Sequence, residues 1–143
     1  MVYSVLLRVF REGKALWGFS MDSSSGGLRI LIIEDSPVVA IATEEMLRDL
    51  GHTALGPAGN MASALELGEN EEMDAAIVDL NIRGTKAFSL LKILEARGIP
   101  FLLASGYADW SMPNEWADRP RLQKPFSASQ LRAKLNELFT ASA

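Results

Sequence analysis

The sequence contains no cysteine and only one histidine, His52. The missing thiols exclude a disulfide scaffold, thiolate catalysis and thiolate metal ligands. The single imidazole argues against a metal site built from several histidines. Any metal-dependent chemistry in this chain therefore has to use oxygen ligands, and the lack of cysteine is compatible with a reducing cytoplasm.

Long apolar runs and an excess of basic residues are also missing. No apolar run approaches the roughly 18 residues of a membrane span, and charged residues interrupt the apolar N-terminus, which argues against a signal peptide. The formal net charge of −4 argues against a general nucleic-acid binder. With 143 residues, 48% of them apolar and 22% charged, the chain is expected to form one cytoplasmic globular domain without stable membrane insertion.

A polar segment at residues 22–27, DSSSGG, divides the chain. It predicts an N-terminal extension and linker over residues 1–27 and a folded domain over residues 28–140.

Two interpretations of residues 1–21 follow. If this piece is a helix, its apolar residues share one face and Arg8, Arg11 and Lys14 lie mostly opposite, as in helices that bind membrane surfaces or partner helices. Alternatively, the assigned start lies upstream of the true one, because Met21 is followed by a polar segment and then directly by the first strand. We favour the second interpretation and expect the extension to dock weakly.

After the linker, short apolar runs alternate with helical patterns. All but the second of these runs end at or next to a polar or charged residue, and a β-branched, apolar run such as the first is typical of a strand buried on both faces. The alternation predicts a doubly wound α/β domain with a five-stranded parallel sheet. Pro113 and poor helix formers predict a shortened or irregular fourth helix. The strands are predicted at residues 28–33, 53–56, 74–78, 100–104 and 121–123, and the regular helices at 37–50, 60–68, 86–97 and from 127 onward.

The polar residues that could carry chemistry follow different predicted strands. They are Glu34 with Asp35, Asp79, Ser105 and Lys124. The carboxyl ends of parallel strands meet at the edge where α/β sheets bind ligands. Three carboxylates at one place repel one another, and a hard divalent cation, Mg²⁺ rather than Zn²⁺, offsets that repulsion. A carboxylate nucleophile, Mg²⁺, a lysine and a hydroxyl together predict a phosphoryl-transfer site.

Four motifs carry a family resemblance: IIEDS at 32–36, AIVDLN at 76–81, LASGY at 103–107 and LQKPF at 122–126. With them, the segment from Leu28 to Phe139 resembles the receiver domain of two-component response regulators. The third motif is similar to that of the "Phe-Ala-Thr-Gly-Tyr" variant receivers of alphaproteobacteria. The resemblance implies a flavodoxin-like strand order 2-1-3-4-5.

The resemblance also implies roles for the carboxylates. Asp79 would be the phosphoacceptor, and Glu34 and Asp35 would form with it the acidic pocket for Mg²⁺. The backbone carbonyl of Asn81 would complete the metal shell.

Ser105 would bind a phosphoryl oxygen, and Lys124 would bridge to the phosphoryl group. The peptide bond between Lys124 and the following proline would be cis. This sequence departs from the usual pattern at Arg121, where most receivers carry the aromatic residue that swings inward on phosphorylation. Tyr107 is therefore the candidate switch residue.

A receiver implies a sensor histidine kinase or histidine phosphotransfer protein as phosphodonor and an unknown downstream protein. Only residues 140–143 follow the last helix, so we expect a stand-alone regulator that acts through altered protein binding or as a phosphoryl carrier or sink. We expect a signalling phosphoacceptor rather than an enzyme, with at most self-catalysed phosphorylation and dephosphorylation.

Two alternatives remain open at this point. A small haloacid-dehalogenase-like phosphatase or phosphotransferase also uses an aspartyl nucleophile, but that family wants a second acid where Asn81 stands. A phosphorylation-independent binding module with the same fold is the other alternative. Loss of Asp79, an acidic residue or Lys124 would mark such a module, and none is lost.

Overall fold

The computed structural model describes residues 4–9, 15–20, 27–106 and 114–141, with side chains for 27–106 and 115–140. Strands β1 (Ser4–Val9) and β2 (Ala15–Ser20) pair antiparallel within the N-terminal extension. The helix of the first interpretation is therefore wrong for these residues, and the favoured interpretation, an assigned start upstream of the true one, stays a prediction. Short apolar segments fit the periods of both a helix and a strand, and the β-branched and aromatic residues of this piece favour the strand.

Five of the remaining strands form one parallel sheet in the order β4-β3-β5-β8-β9. Numbered within that sheet, the order is 2-1-3-4-5, so the predicted doubly wound topology is confirmed. In chain order the strands are β3 (Arg29–Ile33), β4 (Thr53–Ala58), β5 (Ala75–Asp79), β6 (Asn81–Ile82), β7 (Thr85–Lys86), β8 (Phe101–Ser105) and β9 (Arg121–Gln123).

Four α-helices occur in the described residues, and side-chain caps stand at the starts of three of them. Ser36 Oγ accepts a hydrogen bond from the Val39 N–H at 3.5 Å. Asn60 Oδ1 accepts a hydrogen bond from the Ser63 N–H at 2.9 Å. Ser127 and Gln130 form a capping box, in which the Ser127 hydroxyl accepts from the Gln130 N–H at 3.2 Å and the Gln130 side chain accepts from the Ser127 N–H at 2.8 Å. The helices are α1 (Pro37–Asp49), α2 (Met61–Asn70), α3 (Phe88–Ala96) and α4 (Ala128–Ala141). None of the described helices is long and apolar enough to cross a membrane.

The helices cover both faces of the sheet and bury alternate residues of its strands. Leu31 and Ile33 of β3 pack with α2 and α3, whereas Ile30 and Ile32 of the same strand pack with α1 and α4. All four side chains are at most 1% exposed. A strand buried on both faces has no polar side, which is why the sequence reads as a continuous apolar run.

The hairpin of β6 and β7 is a feature that the sequence did not predict. Its two-residue turn consists of Arg83 and Gly84, with φ angles of 50° and 83°. Positive φ at both central residues is typical of a type I′ turn. Because the hairpin uses Thr85–Lys86 as a strand, α3 begins at Phe88 rather than at the predicted residue 86.

The described part of the connection between β8 and β9 contains a single 3₁₀ turn, Asn114–Trp116, in agreement with the predicted irregular fourth helix. Trp116 is 1% exposed. Its ring stacks on Phe88 with 5.6 Å between centroids, and its Nε1–H donates to Glu95 Oε2 at 3.1 Å. These contacts attach the connection to α3.

Arg119 strengthens that attachment. It donates to the same Glu95 oxygen at 2.7 Å, and its guanidinium carbon lies 5.0 Å from the centre of the Phe101 ring. Stacking on an aromatic face adds a cation–π attraction to the hydrogen bond. Residues 114–119 are therefore held by α3 on one side and by β8 on the other.

His52 has a structural role at the turn between α1 and β4. Its side chain is half-buried, and Nδ1 accepts a hydrogen bond from the Leu28 N–H at 3.1 Å. Burial lowers the pKa of His52 below its ordinary 6.5, although the negative charge of Asp74 opposes that shift. A protonated imidazole would lose the acceptor, so the fold favours the neutral form.

We predict that His52 makes stability fall in mild acid. As pH drops below about 6.5, the unfolded chain takes up a proton on His52 while the folded chain resists, so stability present above that pH is lost below it. His52→Asn keeps an acceptor oxygen and cannot titrate. The fall in Tm between about pH 7.5 and 5.5, measured by circular dichroism, should be smaller in the variant by about 2 °C or more. Equal falls in the two proteins would contradict this role.

Candidate functional site

The carboxyl edge of the sheet brings together the polar residues predicted from the sequence. Glu34 and Asp35 follow β3, and Asp79 ends β5, the central strand. Lys124 follows β9 and reaches across the end of β8 to both buried acids: its Nζ lies 2.9 Å from Glu34 Oε1 and 2.7 Å from Asp79 Oδ2. The parallel order of the strands is what makes this convergence possible.

Burial and two hydrogen bonds act in opposite directions on the pKa of Lys124. The side chains of Glu34 and Asp79 are each 5% exposed, and that of Lys124 is 19% exposed. Burial disfavours the charged lysine, but the hydrogen bonds to Asp79 and Glu34 outweigh it and raise the pKa of Lys124. The ammonium group therefore keeps its charge inside the pocket.

The two neighbouring acids, Glu34 and Asp35, differ in environment. Burial raises the pKa of Glu34, against hydrogen bonds from the Ser36 N–H at 3.0 Å and from Lys124. Burial also acts on the less buried Asp35, but a hydrogen bond from the Arg83 N–H at 2.9 Å helps to bring its pKa below the ordinary value. Asp35 is thus the more readily ionised of the pair.

Main-chain groups orient the two buried acids in the same way. Glu34 Oε2 accepts from the N–H of Ser36, and Asp79 Oδ1 accepts from the N–H of Asn81 at 3.0 Å. Each donor lies two residues after its acid, as in the local turns that acidic side chains form. The second oxygen of each carboxylate is left for Lys124.

Ser105 is buried at the end of β8, beside the lysine. Its carbonyl accepts the backbone N–H of Lys124 at 2.8 Å, and its hydroxyl contacts the carbonyl of Gly106 at 3.2 Å. The Lys124–Pro125 bond is cis, as the resemblance implied. Tyr107, the candidate switch residue, lies outside the described residues, so its role stays a prediction.

The oxygen groups of this pocket fit a hard divalent cation. Glu34, Asp35 and Asp79 each offer a carboxylate oxygen, and the three oxygens lie within 4.8 Å of one another. Asn81 Oδ1 is buried without a hydrogen-bond partner among the described residues, so it can accept one from water in the pocket. An oxygen-only donor set of this kind suits Mg²⁺. The backbone carbonyl of Asn81 as a further ligand stays a prediction.

Comparison with known proteins now identifies the family. Residues 30–136 match the family model of the response regulator receiver domain. The chain therefore belongs to the response regulator receiver family.

Individual relatives are similar over most of their length. The solution structure of SdrG from Sphingomonas melonis Fr1 is 39% identical with a TM-score of 0.73, and the match covers 82% of this chain and 98% of SdrG. Chemotaxis protein CheY-3 of Vibrio cholerae is 28% identical over 119 residues, which span 78% of this chain and 92% of that protein.

Two further structures show what relatives of this fold bind. A BeF3-activated conformation of SdrG is 40% identical, with a TM-score of 0.68, and the match covers 80% of this chain and 98% of SdrG. The receiver domain of the sensor histidine kinase PA1611 from Pseudomonas aeruginosa, 23% identical with a TM-score of 0.65, has a magnesium ion coordinated in its active site cleft. That match covers 80% of this chain and 99% of the PA1611 domain.

Sequence reasoning identified the side chains of the pocket and missed the main-chain groups that hold them. The N–H groups of Ser36 and Arg83 orient Glu34 and Asp35. In the sequence, Ser36 stands only at the end of the first motif. The signal for Arg83 was the following glycine, Gly84, which marks a tight turn close after Asp79.

We predict that Mg²⁺ stabilises the folded domain through this pocket. A cation that binds only the folded state raises Tm by mass action. Glu34→Gln keeps the side-chain size and removes one buried ligand charge, so it should lose most of that increase. Differential scanning fluorimetry with millimolar Mg²⁺ and then EDTA measures the effect, expected to be about 2 °C or more in the parent protein.

Glu45→Gln is the matched control, because Glu45 is exposed on α1 and its replacement changes the net charge by the same amount. An unchanged Mg²⁺ response in Glu34→Gln would contradict the metal site.

Proposed function

We propose that this receiver domain accepts a phosphoryl group on Asp79 from the phosphohistidine of a sensor histidine kinase or histidine phosphotransfer protein, in a reaction that requires Mg²⁺. One observation carries the proposal: Asp79 ends the central strand, with one oxygen held by the Asn81 N–H at 3.0 Å and the other by Lys124 at 2.7 Å. The acidic oxygens within 4.8 Å supply the place for the cation.

The proposed transfer is a simple exchange of bonds. An Asp79 carboxylate oxygen forms a bond to phosphorus as the phosphorus–nitrogen bond of the donor breaks. The electron pair stays on the imidazole nitrogen, which takes up a proton from water. Lys124 holds its positive charge beside the phosphoryl oxygens, and the Ser105 hydroxyl turns to donate to one of them. Bound Mg²⁺ supplies neutralisation of the charge on those oxygens.

Asp79→Asn should abolish acid-labile phosphorylation because it removes the nucleophilic oxygen anion. The measurement is labelling by a phosphorylated histidine donor or by acetyl phosphate, followed by acid treatment. Asp74→Asn is the matched control: Asp74 lies just before the other end of the same strand, where it accepts the Arg29 N–H at 2.8 Å. Persistent labelling of Asp79→Asn, or full labelling of the parent protein in EDTA, would refute the proposal.

The family assignment favours this function over the two alternatives. A haloacid-dehalogenase-like enzyme would require an acidic residue at the position of Asn81. A phosphorylation-independent module would be expected to have lost part of the pocket. Asp79 and Lys124 are both present and in contact. Output is proposed to occur through altered protein binding or through use of the domain as a phosphoryl carrier or sink, with Tyr107 as the proposed switch.

The start of α1 is the surface that we propose for the protein donor. Val38 and Ile41 are 77% and 57% exposed, the large apolar side chains that stand out to solvent in the described residues. The helix begins at Pro37, directly after the two acids of the pocket. A phosphohistidine that reaches Asp79 brings its own protein against this surface, where exposed apolar groups mark interaction sites.

Replacing Val38 and Ile41 together by serine should slow phosphotransfer from a protein donor about tenfold, because apolar contacts at an interface centre contribute on the order of 1 kcal/mol each. Both substitutions are neutral, so the charge of the pocket is unchanged. Labelling by acetyl phosphate is the internal control and should stay at the parent rate. Equal slowing with both donors would place the defect in the pocket rather than in docking.

A further inference from the structure

The turn between β6 and β7 fixes the backbone of a basic residue, Arg83, at the rim of the carboxylate pocket. The backbone N–H of Arg83 donates to Asp35 Oδ2 at 2.9 Å. The Asp35 carboxylate lies within 4.8 Å of ligand oxygens of Glu34 and Asp79. Three methylenes separate the Cα of an arginine from its guanidinium, so the side chain is long enough to reach the mouth of the pocket from this fixed point.

The charge of Arg83 is available, unlike that of Lys124. The Arg83 side chain is exposed and makes no hydrogen bond or ion pair with any other described residue. Lys124, in contrast, already donates to two carboxylates at 2.9 and 2.7 Å. Among the described residues, Arg83 is therefore a cation that a second anion approaching the pocket can pair with.

The net negative charge of the pocket explains why a nearby cation would help an anionic phosphodonor to approach. The three carboxylates of Glu34, Asp35 and Asp79 against one lysine leave two negative charges before any metal binds. A phosphodonor also carries a negatively charged phosphoryl group, so the protein groups of the pocket alone repel it. A cation on the path of approach offsets that repulsion and raises the rate of encounter.

We infer that Arg83 recruits the phosphodonor by pairing its guanidinium with the anionic phosphoryl group before transfer. The inference rests on the proposed function of Asp79. The planar guanidinium fork matches phosphate oxygens in pairs, whereas an ammonium acts as a point charge. With acetyl phosphate, the Asp79 oxygen bonds to phosphorus while the bond from phosphorus to the acetate oxygen breaks, and acetate leaves with the electron pair. Arg83 changes no bond in this step.

Two substitutions isolate the side-chain charge. Arg83→Ala removes it, and Arg83→Lys keeps it without the fork. Both keep the backbone N–H that binds Asp35, and both keep a Cβ at φ 50°, so the demand on the turn is unchanged. Arg48→Ala is the matched control: Arg48 lies in the last turn of α1, which begins beside the pocket and ends at the opposite edge of the sheet.

The test is the initial rate of acid-labile labelling by acetyl phosphate and by phosphoimidazole, each at low and at physiological ionic strength. Arg83→Ala should be slower by about three- to tenfold at low ionic strength, with partial rescue in Arg83→Lys. The difference should shrink as salt rises, because charges more than about 8 Å apart are largely screened at physiological ionic strength. A residue that only supported the turn would show no such salt dependence.

The two donors distinguish the sources of the phosphoryl group. A loss with both supports recognition of the phosphoryl group itself; a loss with one alone supports recognition of acyl phosphates or of imidazole-bound phosphoryl groups, respectively. Parent rates in Arg83→Ala, an equal loss in Arg48→Ala, or a loss independent of salt would overturn the inference. Asp79→Asn is run in parallel, since labelling of that variant would mean that the proposed function, and not the role of Arg83, has failed.

Discussion

The ion pair of Lys124 with two buried carboxylates is the contact on which the rest of this domain depends. Glu34 and Asp79 follow neighbouring strands at the centre of the sheet, and Lys124 follows the strand at its edge. Removing one partner from a buried pair typically costs about 3–5 kcal/mol because the remaining charge is left uncompensated. The same contact that closes the edge of the sheet therefore also holds the proposed phosphoacceptor in place, and the residues of the pocket cannot be separated into structural and functional sets.

Main-chain and side-chain groups hold different oxygens of the acids in this pocket. Peptide N–H groups hold one oxygen each of Glu34, Asp35 and Asp79, at 2.9–3.0 Å. Peptide N–H groups neither titrate nor change rotamer. The orientation of the three acids therefore does not depend on the protonation state or rotamer of a donor side chain. Lys124 is the side-chain cation of the arrangement and pairs with two of these acids, whereas Arg83 contacts the pocket through its peptide N–H and has an exposed side chain.

The main sheet was predictable from sequence because its three central strands, β3, β5 and β8, are apolar runs at whose ends polar residues stand, and most of the pocket followed from those ends. The capping box of Ser127 and Gln130 was equally readable, since both partners are local in sequence. The hairpin at Arg83 was not, because arginine seldom adopts a positive φ and the turn lies between strands of two residues each. The helix considered for the N-terminal extension was wrong because the apolar residues of that segment fit a helix and a strand alike.

The attachment of Trp116 and Arg119 to Glu95 has a mechanical consequence. In this domain the chain that enters β9 is tied to α3 by two hydrogen bonds to one carboxylate oxygen, and Arg119 stands only two residues before Arg121, where that strand starts. A protein that binds α3 and displaces it would therefore also displace β9, the strand that Lys124 follows. A partner bound to the outer face of α3 would in this way change the position of the Lys124 ammonium group at the end of β9.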